Sequence, residues 1–389
     1  MTALTVRSIY LALLSVLDLV FILILVLELG ADPRMLGLIG MLWSLIYVIF
    51  SLIADKLGVR GSITLISVVS SLAFLISVVI LFEYSRYLYY IVAGYMMHSI
   101  ATAMGRVSNN ISINESYYYE EWSSKIFESQ IFQRFAYAGV LSILILAGLN
   151  IIYSIYLLPF YITLALLFPL SHEFRGFERR YSSIVSTLDI INHATRFTTV
   201  TLGNSSIWLD YKSFSAVFGR YSTARCLLSA LLSSIAIEIL MLPIPAVMKR
   251  FMDLRELLLI YVIIGLLGGI SLILLKNHDA NLLSSGLMRI IALGIVFLSI
   301  GLTPSIAGIV LLGVGFALIS ISNNLYVTTA LSIYNTLSHG FGSGIFIAVL
   351  EIGGLAGDLL LWLYVGGLSY EVIMLISGAL FLLTLLILR

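Results

Sequence analysis

The sequence predicts an all-α, polytopic membrane protein with twelve transmembrane helices. Hydrophobic residues make up 60% of the 389 and charged residues 11%, against roughly a quarter charged in a soluble domain. Apolar runs recur at lengths near the ~20 residues that a helix needs to cross about 30 Å of hydrocarbon. These runs form two groups of six on either side of one polar segment.

The first group lies at about 6–29, 34–54, 62–82, 86–113, 123–148 and 151–170. Run 6–29 is too long for a signal-peptide core and carries Asp18 and Glu28 rather than a small-residue cleavage site, so it reads as a retained span. From 171 to 221 the composition turns charged and hydroxylic, with Arg175, Arg179 and Arg180, and no window there spans a bilayer. Within this linker, Ile184, Val185, Leu188 and Ile191, and again Phe214, Val217, Phe218 and Tyr221, fall at helical spacing and predict two short interfacial helices. A hairpin at Gly203-Asn204 is expected between them. The second group lies at about 223–247, 254–275, 282–302, 304–330, 339–364 and 370–388. The expected organisation is therefore 1–170, a linker 171–221, and 222–389.

Several function classes are disfavoured. A net charge of +1 leaves no concentrated basic surface for nucleic acid. The single cysteine, Cys226, excludes an intrachain disulfide and a Cys-rich metal site. No GxxxxGK[ST] loop is present, so the chain is no ATPase, and no His-rich, Cys-rich or Asp-x-Asp cluster occurs in a loop. The last absence argues against a membrane-embedded lipid or sugar transferase, and no metal, cofactor or enzymatic activity is expected. With an even number of spans, 13 of the 21 bases fall on the side of the linker, 5 on the other and 3 within spans. Bases favour the cytoplasmic side, so the linker and both termini are expected there, in a multi-pass protein of the cell membrane.

Between the second and third runs lies SLIADKLGVRG, residues 51–61. Bases alone would follow from orientation, but an acid is unusual in such a turn. Asp55 can meet the positive N-terminal end of the third helix or a base across a helix gap, and Gly58 and Gly61 suit a tight turn. The stretch resembles the loop between helices 2 and 3 of the major facilitator superfamily of secondary transporters, of the form Gly-x-x-x-Asp-Arg-x-Gly-Arg-Arg/Lys. Asp55, Lys56, Gly58 and Arg60 stand on its acid, first base, glycine and final base, while Ser51 and Val59 replace a glycine and an arginine. The resemblance implies an inner-gate role for these four residues and two six-helix bundles related as parallel repeats. Glu115 and Lys125 are similar to the family's acid and base pair around the fourth and fifth helices. Gly344, Gly353 and Gly357 in the eleventh helix match a glycine pattern that the family's antiporters carry in the fifth; close helix packing is the favoured explanation.

Four intramembrane charges fall at one depth. Asp18 lies 11 residues after Arg7, Arg134 9 after Lys125, Glu238 13 after Arg225 and Glu351 12 after His339, roughly 14 to 20 Å from the linker-side ends of their helices. In the family fold their helices line or flank the central cavity, so all four are candidates for one substrate and proton site, with His98, Asn323 and Asn324 as further members. Each has a plainer reading. Asp18 and Arg134 pair structurally, His98 packs, the asparagines bond between helices, and Arg106 snorkels from the inner side of the fourth helix. Asp358, two turns beyond Glu351, is expected close to the outer surface, at an outer gate or in water. Tyr87, Tyr89 and Tyr90 read as an interfacial belt.

Three acids and one base leave two negative charges, which favours a bound proton or cation. The expected function is secondary transport of a small solute by alternating access, coupled to protons, by a monomer in the lipid bilayer. A transporter-shaped subunit or sensor that does not transport is the alternative.

Overall fold

A computed structural model describes residues 3–84, 87–117, 121–147, 158–172, 223–242, 253–275, 282–302, 305–338, 342–364 and 370–388. Twelve helices run through them. The first six are α1 (Ala3–Leu27), α2 (Pro33–Val59), α3 (Ile63–Tyr84), α4 (Leu88–Ser116), α5 (Trp122–Ala147) and α6 (Leu158–Leu170). The second six are α7 (Thr223–Met241), α8 (Leu254–Leu275), α9 (Leu282–Leu302), α10 (Ile306–Leu337), α11 (Ser343–Tyr364) and α12 (Tyr370–Leu388). By length and composition eight of them can cross a membrane. The interfacial helices and hairpin expected in the linker lie outside the described residues.

Local signals set the helix ends. Asp32 caps α2 by accepting from the Met35 N–H at 2.7 Å, with Pro33 at the first helical position. Asp253 and Glu256 form a reciprocal capping box on α8: the Glu256 N–H donates to Asp253 at 2.8 Å and the Asp253 N–H to Glu256 at 3.0 Å. Ser305 caps α10 through the Gly308 N–H. That helix runs seven residues past the expected 330, because Leu331 and Tyr334 continue its buried face.

α1 is apolar all round and buried along almost its whole length, as befits the axial helix of a bundle. Tyr10 joins it to three neighbours. The ring stacks on Phe168 of α6 at 4.0 Å, and the hydroxyl lies 2.9 Å from Ser70 Oγ of α3, which donates to the Ala101 carbonyl of α4 at 2.7 Å.

The two sets of six helices meet along two seams, α2 against α11 and α5 against α8. Glycines let the backbones close. A Cβ on Gly37 of α2 would lie 2.9 Å from both the Asp358 carbonyl oxygen and the Trp362 nitrogen of α11. At the other end of that seam, a Cβ on Gly344 of α11 would lie 2.8 Å from the Ser51 carbonyl oxygen of α2. On the second seam, Gly265, Gly268 and Gly269 of α8 face Arg134, Phe135, Tyr137 and Ala138 of α5. Gly353 and Gly357 bring α11 equally close to Leu231, Ser234 and Glu238 of α7. The glycine pattern of α11 thus packs that helix against two neighbours.

Candidate functional site

Midway along the helices lies a cluster drawn from both sets. Asp18 of α1 accepts a hydrogen bond from the Tyr95 hydroxyl of α4 at 3.0 Å. Arg106, on the same face of α4 three turns on, acts electrostatically on Asp18, on Tyr47 of α2 and on Glu351 of α11. Glu238 of α7 lies in the electrostatic neighbourhood of Glu351 and Asp18. Asp18, Arg106, Glu238 and Glu351 are all only partly buried, although hydrocarbon cannot solvate them; they border an accessible interior between the helices.

Aromatic rings pack beside this cluster. Trp43 lies 4.9 Å from the Tyr47 ring and 5.9 Å from that of Tyr95, which it faces at 26°. Tyr137 of α5 and Tyr261 of α8 are in the electrostatic neighbourhood of Asp18. The helix-end tyrosines Tyr87, Tyr89 and Tyr90 are by contrast exposed.

Arg134 sits elsewhere than opposite Asp18. Its Nη2 donates to Asn324 Oδ1 of α10, so the expected structural pair is replaced by a bond between α5 and α10. Opposite signs at equal depth suggested the pair, but the rotation of α1 turns Asp18 toward α4. Asn323 accepts from a different arginine, Arg289 Nη2 of α9, at 2.6 Å. Arg289 is 1% exposed, its Nη1 bonds Ser233 of α7, and its guanidinium lies 4.2 Å from the Tyr326 ring and 5.1 Å from the Phe381 ring. The adjacent asparagines therefore serve two separate guanidiniums.

His98 is fully buried, with Thr102 Oγ1 at 3.3 Å from Nε2 and the Phe21 and Tyr95 rings at 5.7 and 6.3 Å. It packs behind the cluster instead of facing the interior. Asp358 also departs from expectation: it is 1% exposed, wedged between α2 and α11, and accepts from Ser44 Oγ at 3.3 Å. Close approach of α2 through Gly37 and Gly40 shuts water out.

At the linker end, the backbone N–H of Gly344 donates to Asp55 Oδ1 at 3.0 Å. Asp55 therefore caps the first turn of α11, 289 residues away, rather than the start of α3. Lys56 and Arg60 are exposed. The turn depends on Gly61, at φ 77°, whereas Gly58 is still helical and packs against Ile111 of α4. Lys125 bonds Glu128 at 2.8 Å and lies over the Tyr117 ring.

Reading charges by depth left Arg106 as a snorkelling base and did not single out Tyr47, Tyr95 or Arg289. Arg106 was within reach of the same rule: it lies ten residues from Ser116, where α4 ends, or roughly 15 Å deep. With it in place of Arg134, which bonds Asn324 instead, three acids face one guanidinium and two negative charges are left over.

No protein-family model matches the sequence, and no curated protein matches it. Solved structures match along the whole chain. The human organic anion transporter MFSD10 (TETRAN) is 15% identical with a TM-score of 0.62, covering 100% of this chain and 97% of that one. The xylose transporter XylE from E. coli, in a partially occluded inward-open conformation, is 14% identical with a TM-score of 0.66, covering 99% and 96%. A D-xylose-proton symporter is 13% identical with a TM-score of 0.61, covering 99% and 95%. The chain shares the fold of these transporters, that of the major facilitator superfamily, with twelve helices among the described residues.

Proposed function

We propose that the protein is a proton-coupled secondary transporter of the cell membrane that carries a small polar neutral or cationic solute by alternating access. The observation that carries this reading is the shared midplane cluster. Asp18 and Arg106 come from the first bundle and Glu238 and Glu351 from the second. Rocking of one bundle against the other must change the distances between them. Three carboxylates against Arg106 leave two negative charges to be neutralised, and a proton or a cationic solute does so at least cost.

The solute class follows from the same surroundings. Net negative charge disfavours an anion and suits a cationic or polar neutral solute. The similar proteins include carriers of organic anions and of xylose, so the fold does not choose the cargo. Protonation favours whichever arrangement holds the acids closer together, because a ligand shifts an equilibrium only through its differential affinity. At the linker end, which we assign to the cytoplasm together with both termini, Asp55 on the first turn of α11 locks the bundles together until the interior opens to that side.

The test is proton flux in liposomes containing the purified protein and an internal pH dye. Sugars, polyols, amino compounds and organic cations are added one at a time under an inward proton gradient. Solute-triggered acidification, lost in Glu351→Gln and Asp18→Asn, is the expected result. Solute entry without proton movement would remove the coupling, and absence of both across the panel would leave a non-transporting subunit.

A further inference from the structure

Asp358 belongs to none of the roles above, yet it is the most deeply enclosed carboxylate among the described residues. Two glycines of α2 lie against it. A Cβ on Gly40 would stand 2.8 Å from its carboxylate carbon and from both oxygens, and one on Gly37 would stand 2.9 Å from its backbone carbonyl oxygen. Ser44 Oγ reaches Oδ2 at 3.3 Å, while Oδ1 is buried with no hydrogen-bond partner. The titratable and charged groups acting on it are Glu238 from α7, Glu351 from its own helix and Tyr95 from α4. α2 contributes only the Ser44 hydroxyl there, and Arg34 at its start lies over Trp362, one turn farther along α11.

An ionised carboxylate in such a place is untenable while the helices stay closed. It would have one weak hydrogen bond, an unserved oxygen and two acids for neighbours, and each of these disfavours charge. A proton removes the difficulty without needing space, whereas a metal ion needs several more oxygen ligands than Ser44 provides. Loss of that proton leaves one remedy, which is water at Oδ1. Water can enter only where Gly37 and Gly40 now touch α11.

We propose that Asp358 is a second proton-binding site, outside the midplane cluster, and that its proton clasps α2 to α11 at the end of the bundle opposite the linker. The inference deepens the proton-coupled reading by giving that end of the pathway its own proton. Asp55 at the linker end accepts from the Gly344 N–H at the first turn of α11, where the positive helix end suits a carboxylate. The two ends of one seam then differ: one closes on a carboxylate set at a helix N-terminus, the other on a protonated carboxyl enclosed between helix backbones.

The experiment measures the far end of the seam directly. Spin labels are placed at Leu38→Cys and Leu363→Cys, both exposed positions, in a Cys226→Ser background in lipid nanodiscs, and the distance between them is followed from pH 5 to pH 9. A single short distance is expected at low pH. A longer population should grow with pH, its ratio to the short one rising about tenfold per pH unit near the midpoint, as one released proton requires. In Asp358→Asn the short distance should persist at every pH; Asp358→Ser serves if the amide fails to fold. A pH-insensitive native protein, an unchanged response in both variants, or a response to sodium at fixed pH would each overturn the proposal. Liposome flux keeps the two readings apart. Flux with a pH-insensitive clasp sinks this inference alone, and a pH-sensitive clasp without flux sinks the transport reading and leaves this one standing.

Discussion

The α2–α11 and α5–α8 seams are both closed by glycines, but they bury different chemistry. The first encloses two carboxylates, Asp55 toward one end and Asp358 toward the other. The second carries Arg134 beside Gly268, bonded to Asn324 of the neighbouring α10, with Phe127 and Leu272 in an apolar cluster nearby. A carboxylate changes charge within the physiological range when its surroundings change, and a guanidinium does not. One seam is thus able to respond to protons, while the other keeps the same bond at any pH and is suited to act as the pivot.

The largest effect should come from forcing the first seam apart. Gly37→Leu places a side chain where α11 backbone atoms stand 2.9 Å from a Cβ, and overpacking of this kind costs about 3 kcal/mol or more. Thermal unfolding in detergent should show a drop of many degrees. Gly139→Ala, where a Cβ meets nothing within 4 Å, should instead stabilise by up to about 1 kcal/mol.

Next in size is a background that has to be removed before the seams are compared by pH. His172, just past α6, is buried against Ser67 and the Phe168 ring. Burial first, then the nearby Arg7 charge, lowers its pKa to about 4. The unfolded chain takes up the proton near pH 6.5 and the folded one only near 4, so stability is full above that window and declines as pH falls through it. The loss should reach on the order of 2 to 3 kcal/mol by pH 4. His172→Gln should abolish this slope in denaturation curves taken between pH 4 and 7, and any slope that survives is available to the seams.

Removing the bond at the pivot comes third. Asn324→Ala strands the Arg134 guanidinium and should cost about 1.5 to 3 kcal/mol, equally at pH 6 and pH 8. A loss that varied with pH would erase the contrast between the seams. Asp55→Ala should have the smallest effect, about 1 kcal/mol, as for other helix caps. Hydrogen exchange should localise that loss to the first turn of α11 and leave α8 unchanged.

Hydropathy placed all twelve helices, because burial in lipid imposes a length that the sequence must meet. It could not supply the rotation of each helix. α1 is apolar on every side, so nothing in its pattern tells whether Asp18 turns toward Tyr95 or toward Arg134. Asp55 shows the same gap. A helix N-terminus is a generic partner for an acid, and no local feature of 51–61 indicates that the helix capped is α11 rather than α3. Depth, by contrast, was legible. Asp18, Glu238 and Glu351 lie within electrostatic reach of one another, and Arg106 was read as snorkelling because α4 runs on to Ser116, past the expected 113.

Arg289 carries a consequence for how the chain is made. Its guanidinium is held by Ser233 of α7 and Asn323 and Tyr326 of α10, with Phe381 of α12 at its edge. When α9 leaves the ribosome only the first of these partners exists, and an unaccompanied arginine costs up to about 3 kcal/mol to insert. The order of synthesis therefore favours entry of α9 and α10 as a hairpin, with Asn323 and Tyr326 covering the charge as it passes into the lipid.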